Sequence, residues 1–465
     1  MRRSVIQMTR FVPKVRTQAC RGALLVAGLC VGLGVGLGAG LGVGPFSVGT
    51  AAAQPIENEL KYLIDSHPKI RESEKTLESR RASISEAEAG YYPSVSVTGE
   101  IGPEVIDSPT TRGRGERDPS RAVINTVNLT VIQNLFNGYS TTSLVRAAEV
   151  NREVAQLSLE GTRQSTLFEG IRAYIDVLRQ RRLVEIAREN ERTILRQLNL
   201  EDERVRRGSG VTQDVLQAKS RLQIAKERRV GYEGALSNAI STYEQVFGHA
   251  PALPTMIDPS PPAEVIPSSL ERVTEIALIE NPALIGQGAT VELAREQRRG
   301  SASALYPNLD LQGAANYEKK LGGVMGIRRD YSMKLSARWD LFNGGSTLAR
   351  QDISNFDYQA SMDNYDYITS KVIEQTRLSW QSLVTSRQRK ELLGNAVNIA
   401  AEVFEGRRKL RDAGKETVIN VLDAENELNN TQINYTTSTY DERVAIYQLL
   451  LSMGRLKPDY MITQR

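Results

Sequence analysis

The chain has 465 residues, enough for two or three ordinary domains, and a formal net charge of +4. That charge is uneven: residues 1–53 hold six Lys or Arg and no Asp or Glu, so the rest of the chain is slightly acidic. Composition therefore gives no support to a nucleic-acid partner. The two histidines, His67 and His249, lie far apart in sequence, which disfavours a hydrolytic triad or a His-ligated metal site. We expect no catalytic site, no metal and no cofactor.

Residues 1–53 have the parts of an export signal. A basic region is followed by an uncharged run over 22–44 and by three alanines before Gln54, which resemble a cleavage site. The run is long and rich in glycine, so an uncleaved anchor helix stays an alternative. A phosphate-binding loop is disfavoured because no strand precedes the glycines and no helix follows them. Both cysteines lie in this segment, and Leu29 before Cys30 is too large for a lipid-attachment site, so we predict an exported chain without disulfides.

Proline placement predicts long helices. No proline lies between Pro119 and Pro251, or between Pro307 and Pro458. Because an interior proline costs a helix roughly 3 kcal/mol, such spans favour long helices. A helix over 138–207 would be ~105 Å long and would have to pack against other long helices, as in a coiled coil or helical barrel. Six prolines cluster instead in a linker over 251–267.

The linker separates two halves that resemble each other. The Leu-Phe-Asn-Gly sequence at 135–138 recurs at 341–344, and Gly208 is matched by Gly414. This indicates a tandem duplication of a helix–strand–strand–helix–helix unit. The predicted first repeat, 54–250, has a helix over 57–91, strands over 93–102 and 122–136, and helices over 138–207 and 212–247. The predicted second repeat, 268–457, has helices over 268–305, strands over 307–318 and 329–342, helices over 345–412 and 416–453, and then a tail over 458–465.

The predicted strands have the length and pattern of tilted transmembrane strands. Each has about ten residues, and in the fourth the apolar Tyr331, Met333 and Leu335 alternate with polar residues. A soluble α+β domain is the alternative. Four strands do not close a barrel, and an open edge in lipid is prohibitive, so copies must pool their strands. Three copies give twelve strands, although two or four are not excluded. The predicted fold is an α+β membrane protein: a trimeric 12-stranded β-barrel continued by a long α-helical barrel.

These features resemble the TolC family of trimeric outer-membrane channels. The resemblance rests on the Tyr-Pro pairs at 92–93 and 306–307, the two Leu-Phe-Asn-Gly junctions, the glycine-containing helical tips and the run over 420–428. It implies a homotrimer in outer-membrane lipid that extends through the periplasm, with the linker beside the middle of a helical tunnel. It also implies partners, namely a periplasmic adaptor and an inner-membrane pump.

The first candidate site is the pair of helical tips. They consist of Gly208, Ser209 and Gly210 in the first repeat and Gly414, Lys415 and Glu416 in the second. Glycine tolerates the left-handed conformation of a tight turn between helices, so a plain turn is the simplest interpretation. The resemblance adds docking of the adaptor on these tips.

The second candidate site is a gate just inside the tips. Asn420 and Asp423 are three residues apart and share a helix face. The family commonly has carboxylates at both positions, and a trimer would gather three Asp423 side chains into a cation-selective ring. Neutral Asn420 predicts a weaker ring, and a solvated helix face is the alternative. The resemblance also places Asp214 in a closed-state lock, with Arg411 or Lys415 as partner, that would contribute at most about 1 kcal/mol.

The sequence is compatible with several functions. The favoured function is a passive exit duct of a tripartite export system; an exported coiled-coil scaffold is one alternative, and a secreted enzyme lacks any constellation of acid, base and nucleophile. Among exit ducts, the run over 420–428 resembles secretion-associated members, and no credible lipid-attachment cysteine exists, unlike in many drug-efflux members. We therefore favour type I protein secretion with an ABC transporter. Multidrug efflux with a proton-driven pump is the alternative.

Overall fold

The computed structural model describes residues 55–108, 120–324 and 326–457. The predicted signal, 1–53, and tail, 458–465, lie outside these residues, as does most of the loop between the first two strands. None of the helices in the described ranges is both long enough and apolar enough to cross a bilayer.

Two successive sets of elements follow the order expected for a duplication. The first set is α1 (Ile56–Ser66), α2 (Pro68–Glu88), β1 (Ser94–Ile106), β2 (Ser120–Phe136), α3 (Ser140–Arg206) and α4 (Thr212–Phe247). The second set is α5 (Leu270–Glu280), α6 (Pro282–Ser301), β3 (Asn308–Lys319), β4 (Ile327–Arg338), α7 (Ser346–Asp412) and α8 (Val418–Ser452). Short 3₁₀ turns over 89–91 and 302–305 end α2 and α6 just before the strands.

The single helix predicted over 57–91 is in fact two helices. His67 is extended, with φ −68° and ψ 127°, because the residue before a proline is disfavoured in the α region. Its Nδ1 accepts a hydrogen bond from the Lys69 N–H at 3.3 Å, so His67 caps α2. Asn281 before Pro282 does the same for α6, where its Oδ1 accepts from the Ala283 N–H at 2.9 Å. The only other histidine, His249, contacts the Glu59 carboxylate at 3.1 Å.

The four strands form one antiparallel sheet in the order β1-β2-β3-β4. Strand β1 runs four residues past the predicted end at 102, because it stays paired with β2 up to Ile106 opposite Ser120. Strand β4 ends at Arg338, four residues before the predicted end at 342. Its partner β3 begins at Asn308, opposite Arg338, so the residues that follow have no strand to pair with.

One face of this sheet is apolar and exposed. The register places Val97 opposite Leu129, and Gly313 opposite Met333, on the same face. Met333 is 75% exposed, and Val97 and Tyr331 are exposed to a similar extent. The opposite face carries Ser, Thr, Asn and charged side chains. Within the described part of the chain, β1 and β4 form the two edges of the sheet.

The repeated Leu-Phe-Asn-Gly sequence builds the junctions between strand and long helix. Gly138 has φ 63°, and a Cβ there would lie 2.5 Å from the Ser303 carbonyl oxygen, so only glycine fits. Asn137 donates to the Thr141 hydroxyl at 2.7 Å, and Asn343 donates to Thr347 at the same distance. The Thr141 N–H also donates to the Asn137 Oδ1 at 3.4 Å, and the Thr347 N–H to the Asn343 Oδ1 at 3.3 Å, so the same Asn–Thr contacts begin both helices.

Helix α3 is the centre of the helical part, in contact with α1, α2, α4, α6 and α8. Its buried Ile171, Tyr174 and Leu178 belong to the largest apolar core, which α8 joins through Tyr447 and Leu449. The linker closes this core: the Tyr174 hydroxyl donates to the Ile257 carbonyl at 2.9 Å and accepts from its N–H at 3.1 Å.

Helix α7, the counterpart of α3, has an uncovered apolar row. Leu392 is 69% and Ile399 is 63% exposed, and Val403 continues the row. On α4, the outermost helix at the other side, Leu216, Ile224 and Val230 are also exposed. A single chain therefore leaves apolar surface on both flanking helices as well as on its sheet.

Two matched glycines test how far the repeats are equivalent. Gly248 ends α4 and Gly454 follows α8, with φ of 77° and 76°. A Cβ on Gly454 would lie 2.4 Å from the Glu280 carbonyl oxygen, whereas one on Gly248 would meet nothing within 4 Å.

The two glycines predict losses of stability of different size. We expect Gly248→Ala to lower the free energy of unfolding by about 1 to 2 kcal/mol, because alanine is strained in the left-handed backbone conformation. Gly454→Ala should cost about 1 to 3 kcal/mol more because of overpacking. Urea unfolding followed by circular dichroism measures both, and equal losses would contradict the prediction.

Candidate functional site

The two helical tips have the same backbone geometry. Gly208 and Gly414 adopt the left-handed conformation, with φ of 80° and 72°. The Ser209 N–H donates to the Arg204 carbonyl, and the Lys415 N–H to the Leu410 carbonyl, each at 2.9 Å. This pattern ends a helix by satisfying its last carbonyls, and it requires a residue that tolerates positive φ.

Glycine serves different needs within the tips. A Cβ on Gly208 or Gly414 would meet nothing within 4 Å, so these positions need glycine for conformation only. A Cβ on Gly210 would lie 2.7 Å from the Val205 backbone nitrogen, so there the space itself excludes a side chain. The predicted tip residues Ser209 and Lys415 are exposed, and Glu416 is half-buried.

A small apolar cluster joins the two tips into one unit. The cluster draws on α3, α4 and α8, and its buried members are Ile194, Leu198, Val215, Ala218, Leu222, Ala225, Val418 and Leu422. Because residues from both repeats share this cluster, a movement of one tip relative to the other must disturb it.

Within one chain, Arg411 does not form the predicted pair with Asp214 but binds other groups. Its guanidinium pairs with Glu201 at 2.7 Å and donates to the Glu416 carbonyl at 3.1 Å. Glu201 is buried and also pairs with Arg204 at 2.8 Å. A buried carboxylate needs such compensation. Within one chain, Arg411 therefore ties the tip of α7 to α3, and it is not paired with Asp214.

Asp214 lies half-buried in the first turn of α4. Among the described residues of one chain it makes no ion pair, and neither does Lys415. A carboxylate in the first turn interacts favourably with the helix dipole, which accounts for Asp214 within the monomer. An intersubunit lock involving Asp214 stays a prediction.

Asn420 and Asp423 lie in the first turns of α8, as the sequence predicts, but both side chains have partners within their own chain. The Asn420 amide donates to the Glu416 carboxylate, and with the Thr417 N–H it holds the pKa of Glu416 below its usual value. Asp423 forms an ion pair with Arg221 of α4 at 2.7 Å, and both side chains are partly exposed. The charge of Asp423 is thus partly offset within its own chain.

Sequence analysis did not single out the residues that hold α8 from either side. On one side, Arg221 contacts Asp423, and Arg228 donates to Asn426 at 3.2 Å and Asn430 at 3.1 Å. These arginines are seven residues apart, a helical spacing that could have indicated a shared face. On the side of α3, the buried Glu425 accepts from the Asn190 amide at 3.4 Å. No cluster of three or more metal-binding side chains occurs in the described ranges.

The model of the outer membrane efflux protein family matches residues 60–249 and 273–455, one segment on each side of the linker. The chain belongs to this family. It is similar to the outer membrane efflux protein BepC of Brucella suis, with 25% identity over 82% of this chain and 80% of BepC. It is also similar to the outer membrane protein TolC of Vibrio cholerae, at 23% identity over 74% of this chain and 80% of TolC. The prediction of a TolC-family channel in the outer membrane is confirmed.

Two further similarities concern secretion and fold. The alkaline protease secretion protein AprF of Pseudomonas aeruginosa is 22% identical over 84% of this chain and 83% of AprF. The crystal structure of the outer membrane protein VceC of Vibrio cholerae superposes with a TM-score of 0.73 at 15% identity, covering 86% of this chain and 96% of VceC. The structural likeness supports the predicted fold of strands continued by long helices.

Proposed function

We propose that this protein is the exit duct of a tripartite export system, in which it passively conducts substrate from a periplasmic adaptor and inner-membrane pump to the outside. The observation that carries the proposal is the sheet. It exposes an apolar face, presents two unpaired edges and leads directly into helices of 67 residues each. The proposal assigns no catalytic role to any residue.

We infer a homotrimer from the unsatisfied surfaces. Three copies would pair each β4 edge with the β1 edge of a neighbour and close twelve strands around a lumen. The internal repeat supplies the matching helical contact. Since α7 corresponds to α3 and α4 to α8, the contact of α3 with α8 inside one chain would recur between α7 and the neighbouring α4. In this arrangement the neighbouring α4 would cover the exposed row that contains Leu392 and Ile399.

We infer that the constriction forms where α8 begins. Three copies would gather three Asp423 carboxylates, with Arg221 beside each and neutral Asn420 one turn nearer the tip. Because Arg221 offsets part of the charge, cation preference should be weaker than in a ring of unpaired carboxylates. Opening would separate α8 from α4 and so break the contact of Asp423 with Arg221. Asp214 of one copy would face the tip of the next, with Lys415 as its remaining candidate partner.

The tips are the inferred docking surface for the adaptor. Their turns are exposed, and the cluster around Leu198 and Leu422 joins the two tips into one surface. Docking there would act directly on the start of α8.

We infer type I protein secretion as the specific task. The run over 420–428 resembles secretion-associated members, and AprF, named for the secretion of alkaline protease, is similar over most of the chain. An ABC transporter would then be the pump. Multidrug efflux with a proton-driven pump is the second candidate, favoured by the similarity to the efflux protein BepC.

Deletion of the gene tests both tasks in one strain. The culture supernatant is compared with that of the parent by mass spectrometry, and the minimal inhibitory concentrations of several drugs are measured. Loss of one or a few secreted proteins with unchanged drug resistance supports secretion. Increased drug sensitivity with an unchanged supernatant supports efflux, and no change in either contradicts an exit duct.

The apolar face of the sheet predicts a large difference between adjacent substitutions. Met333→Lys places a charge on the face proposed to contact lipid, which costs up to about 2 to 4 kcal/mol near the middle of a bilayer. Ser332→Lys, one residue away, places the same charge on the polar face and serves as the control. Heat-modifiable trimers in isolated outer membranes are quantified on gels. Met333→Lys should deplete them strongly, and equal trimer levels for the two variants would contradict the assignment of faces.

Removal of the arginine beside Asp423 should loosen the gate. Arg221→Gln leaves Asp423 without its partner, so cation preference should rise and the closed state should weaken. The pair is partly exposed and contributes at most about 1 kcal/mol, which is up to about fivefold in the ratio of closed to open per subunit. Single-channel recording in planar bilayers measures both quantities. Lys219→Gln, an exposed cation on the same helix, is the control, and identical records for the two variants would contradict the gate.

The tip glycines provide a test of docking. Leucine at both Gly208 and Gly414 is strained by the left-handed backbone and should distort the turns. We expect export to fail while trimers remain in the outer membrane. Gly406→Leu, in the helical part of α7 with open space around it, is the control. Normal export by the double variant would contradict docking at the tips.

A further inference from the structure

Glu425 is a buried carboxyl group that has no charged partner among the described residues. It lies on α8 facing α3 and is 5% exposed. Its Oε1 accepts from the Asn190 amide at 3.4 Å, and none of the described residues forms a hydrogen bond with its Oε2. One turn further along α8, Asn429 is equally buried, and its Oδ1 also has no hydrogen-bond partner in the part of the chain that the structure describes. Both side chains line a cavity of about 340 Å³ between α3, α7 and α8.

The charged side chains around this cavity interact with residues other than Glu425. On α3, Arg182 pairs with Glu185 at 2.8 Å, and Arg196 and Arg192 pair with Glu189 at 3.2 and 3.6 Å. Helix α7 contributes the apolar Phe404. On α4, Arg221 and Arg228 are bound to Asp423 and to Asn426 and Asn430. Among the described residues, none of these cations forms an ion pair with Glu425.

Such a site favours the neutral acid. Burial raises the pKa of Glu425 to about 8, and the field of Arg196 opposes this only weakly. An ionised carboxylate here would be desolvated without a counter-ion, whereas a protonated one can donate its O–H to an acceptor oxygen. The Asn429 Oδ1 is an acceptor of this kind on the same cavity wall.

We propose that protonated Glu425 is a positioning residue that holds α8 against α3 in the closed entrance, and that its ionisation releases α8. The proposal rests on the proposed exit duct, because it concerns the helix that carries Asp423. Asp423 and Glu425 lie on different sides of α8: one binds α4 through Arg221 and the other binds α3 through Asn190 and the cavity. The release of α8 must therefore overcome both contacts.

The direction of the pH dependence follows from the raised pKa. The closed arrangement binds a proton that the open one releases, so its extra stability is complete below the ordinary pKa of 4.5 and is lost as pH rises through about 8. Between these values the ratio of open to closed subunits should rise by up to about tenfold per pH unit, as expected for one proton. Alkaline conditions therefore favour opening.

Single-channel recording from pH 6 to 9 tests the proposal with three variants. The wild type should open increasingly with pH. Glu425→Gln keeps a neutral hydrogen-bonding group and should remain closed over the whole range. Glu425→Ala also removes the titration but leaves Asn190 unpaired, so it should be more open than the Gln variant at every pH. Glu427→Gln, on the exposed side of α8, should follow the wild type.

A second measurement does not require conduction. The natural cysteines lie within residues 1–53, so a cysteine at the buried Ala424 can report on separation of α8 from its neighbours. Its rate of maleimide labelling is divided by that of a cysteine at the exposed Ala413, which cancels the pH dependence of thiol chemistry. The ratio should rise with pH in the wild-type background and stay flat with Glu425→Gln.

The outcomes separate the two proposals. Absence of channels in every variant would reject the exit duct, while the labelling ratio would still report on Glu425. Equal pH dependence in the wild type and Glu425→Gln, by labelling or conductance, would overturn the role of Glu425. Equal opening of the Gln and Ala variants would overturn it as well, because the neutral hydrogen-bonding group would then not hold α8.

Discussion

A single chain cannot satisfy the edges of its own sheet, and the rest of the structure depends on this constraint. Among the described residues, strands β1 and β4 each leave one row of backbone donors and acceptors without a strand partner, and in lipid such a row is prohibitive. The helices have the same incompleteness, since Leu392 and Ile399 of α7 are exposed although their counterparts on α3, Ile186 and Thr193, line a cavity that residues of α8 also line. The sheet and the long helices are joined directly at Gly138 and Gly344, so in the proposed trimer one assembly would complete both.

The duplication explains how one repeated unit can supply both the contacts within a chain and those proposed between chains. In the proposed trimer, the contact between α3 and α8 within the chain resembles the one that would form between α7 and the neighbouring α4. The repeats have nevertheless diverged where their surroundings differ. Tyr174 is fully buried and held by the linker at Ile257, whereas its counterpart Trp380 is only partly buried. Gly454 is pressed against Glu280, whereas Gly248 has open space. The linker occurs once per chain, so the two repeats have different surroundings.

Much of this fold could be read from local sequence. Proline-free spans predicted α3 and α7 to within two residues at each end, because proline and glycine act on their own backbone. The end of β4 was predicted four residues too late, because Trp339 and Leu341 continue the alternation although β3 offers no further partner. The long-range pairs were not predictable. Arg411 could be placed at the tip, but its partner Glu201 is 210 residues away, and Arg221 is 202 residues from Asp423. Only the packing of both repeats brings these side chains together.

The two sides of α8 differ in the conditions to which they respond. The contact between Asp423 and Arg221 is partly exposed, so dissolved salt screens it. The contact of Glu425 with α3 is buried, so salt reaches it poorly and the proton decides its state. An adaptor docked as proposed would add a third influence through the apolar cluster at the tips, since Leu422 lies one residue before Asp423 and three before Glu425. Because α8 is one continuous helix, movement at Leu422 strains both polar contacts together. In the proposed channel, opening would then be cooperative within a subunit, whichever of the three contacts yields first.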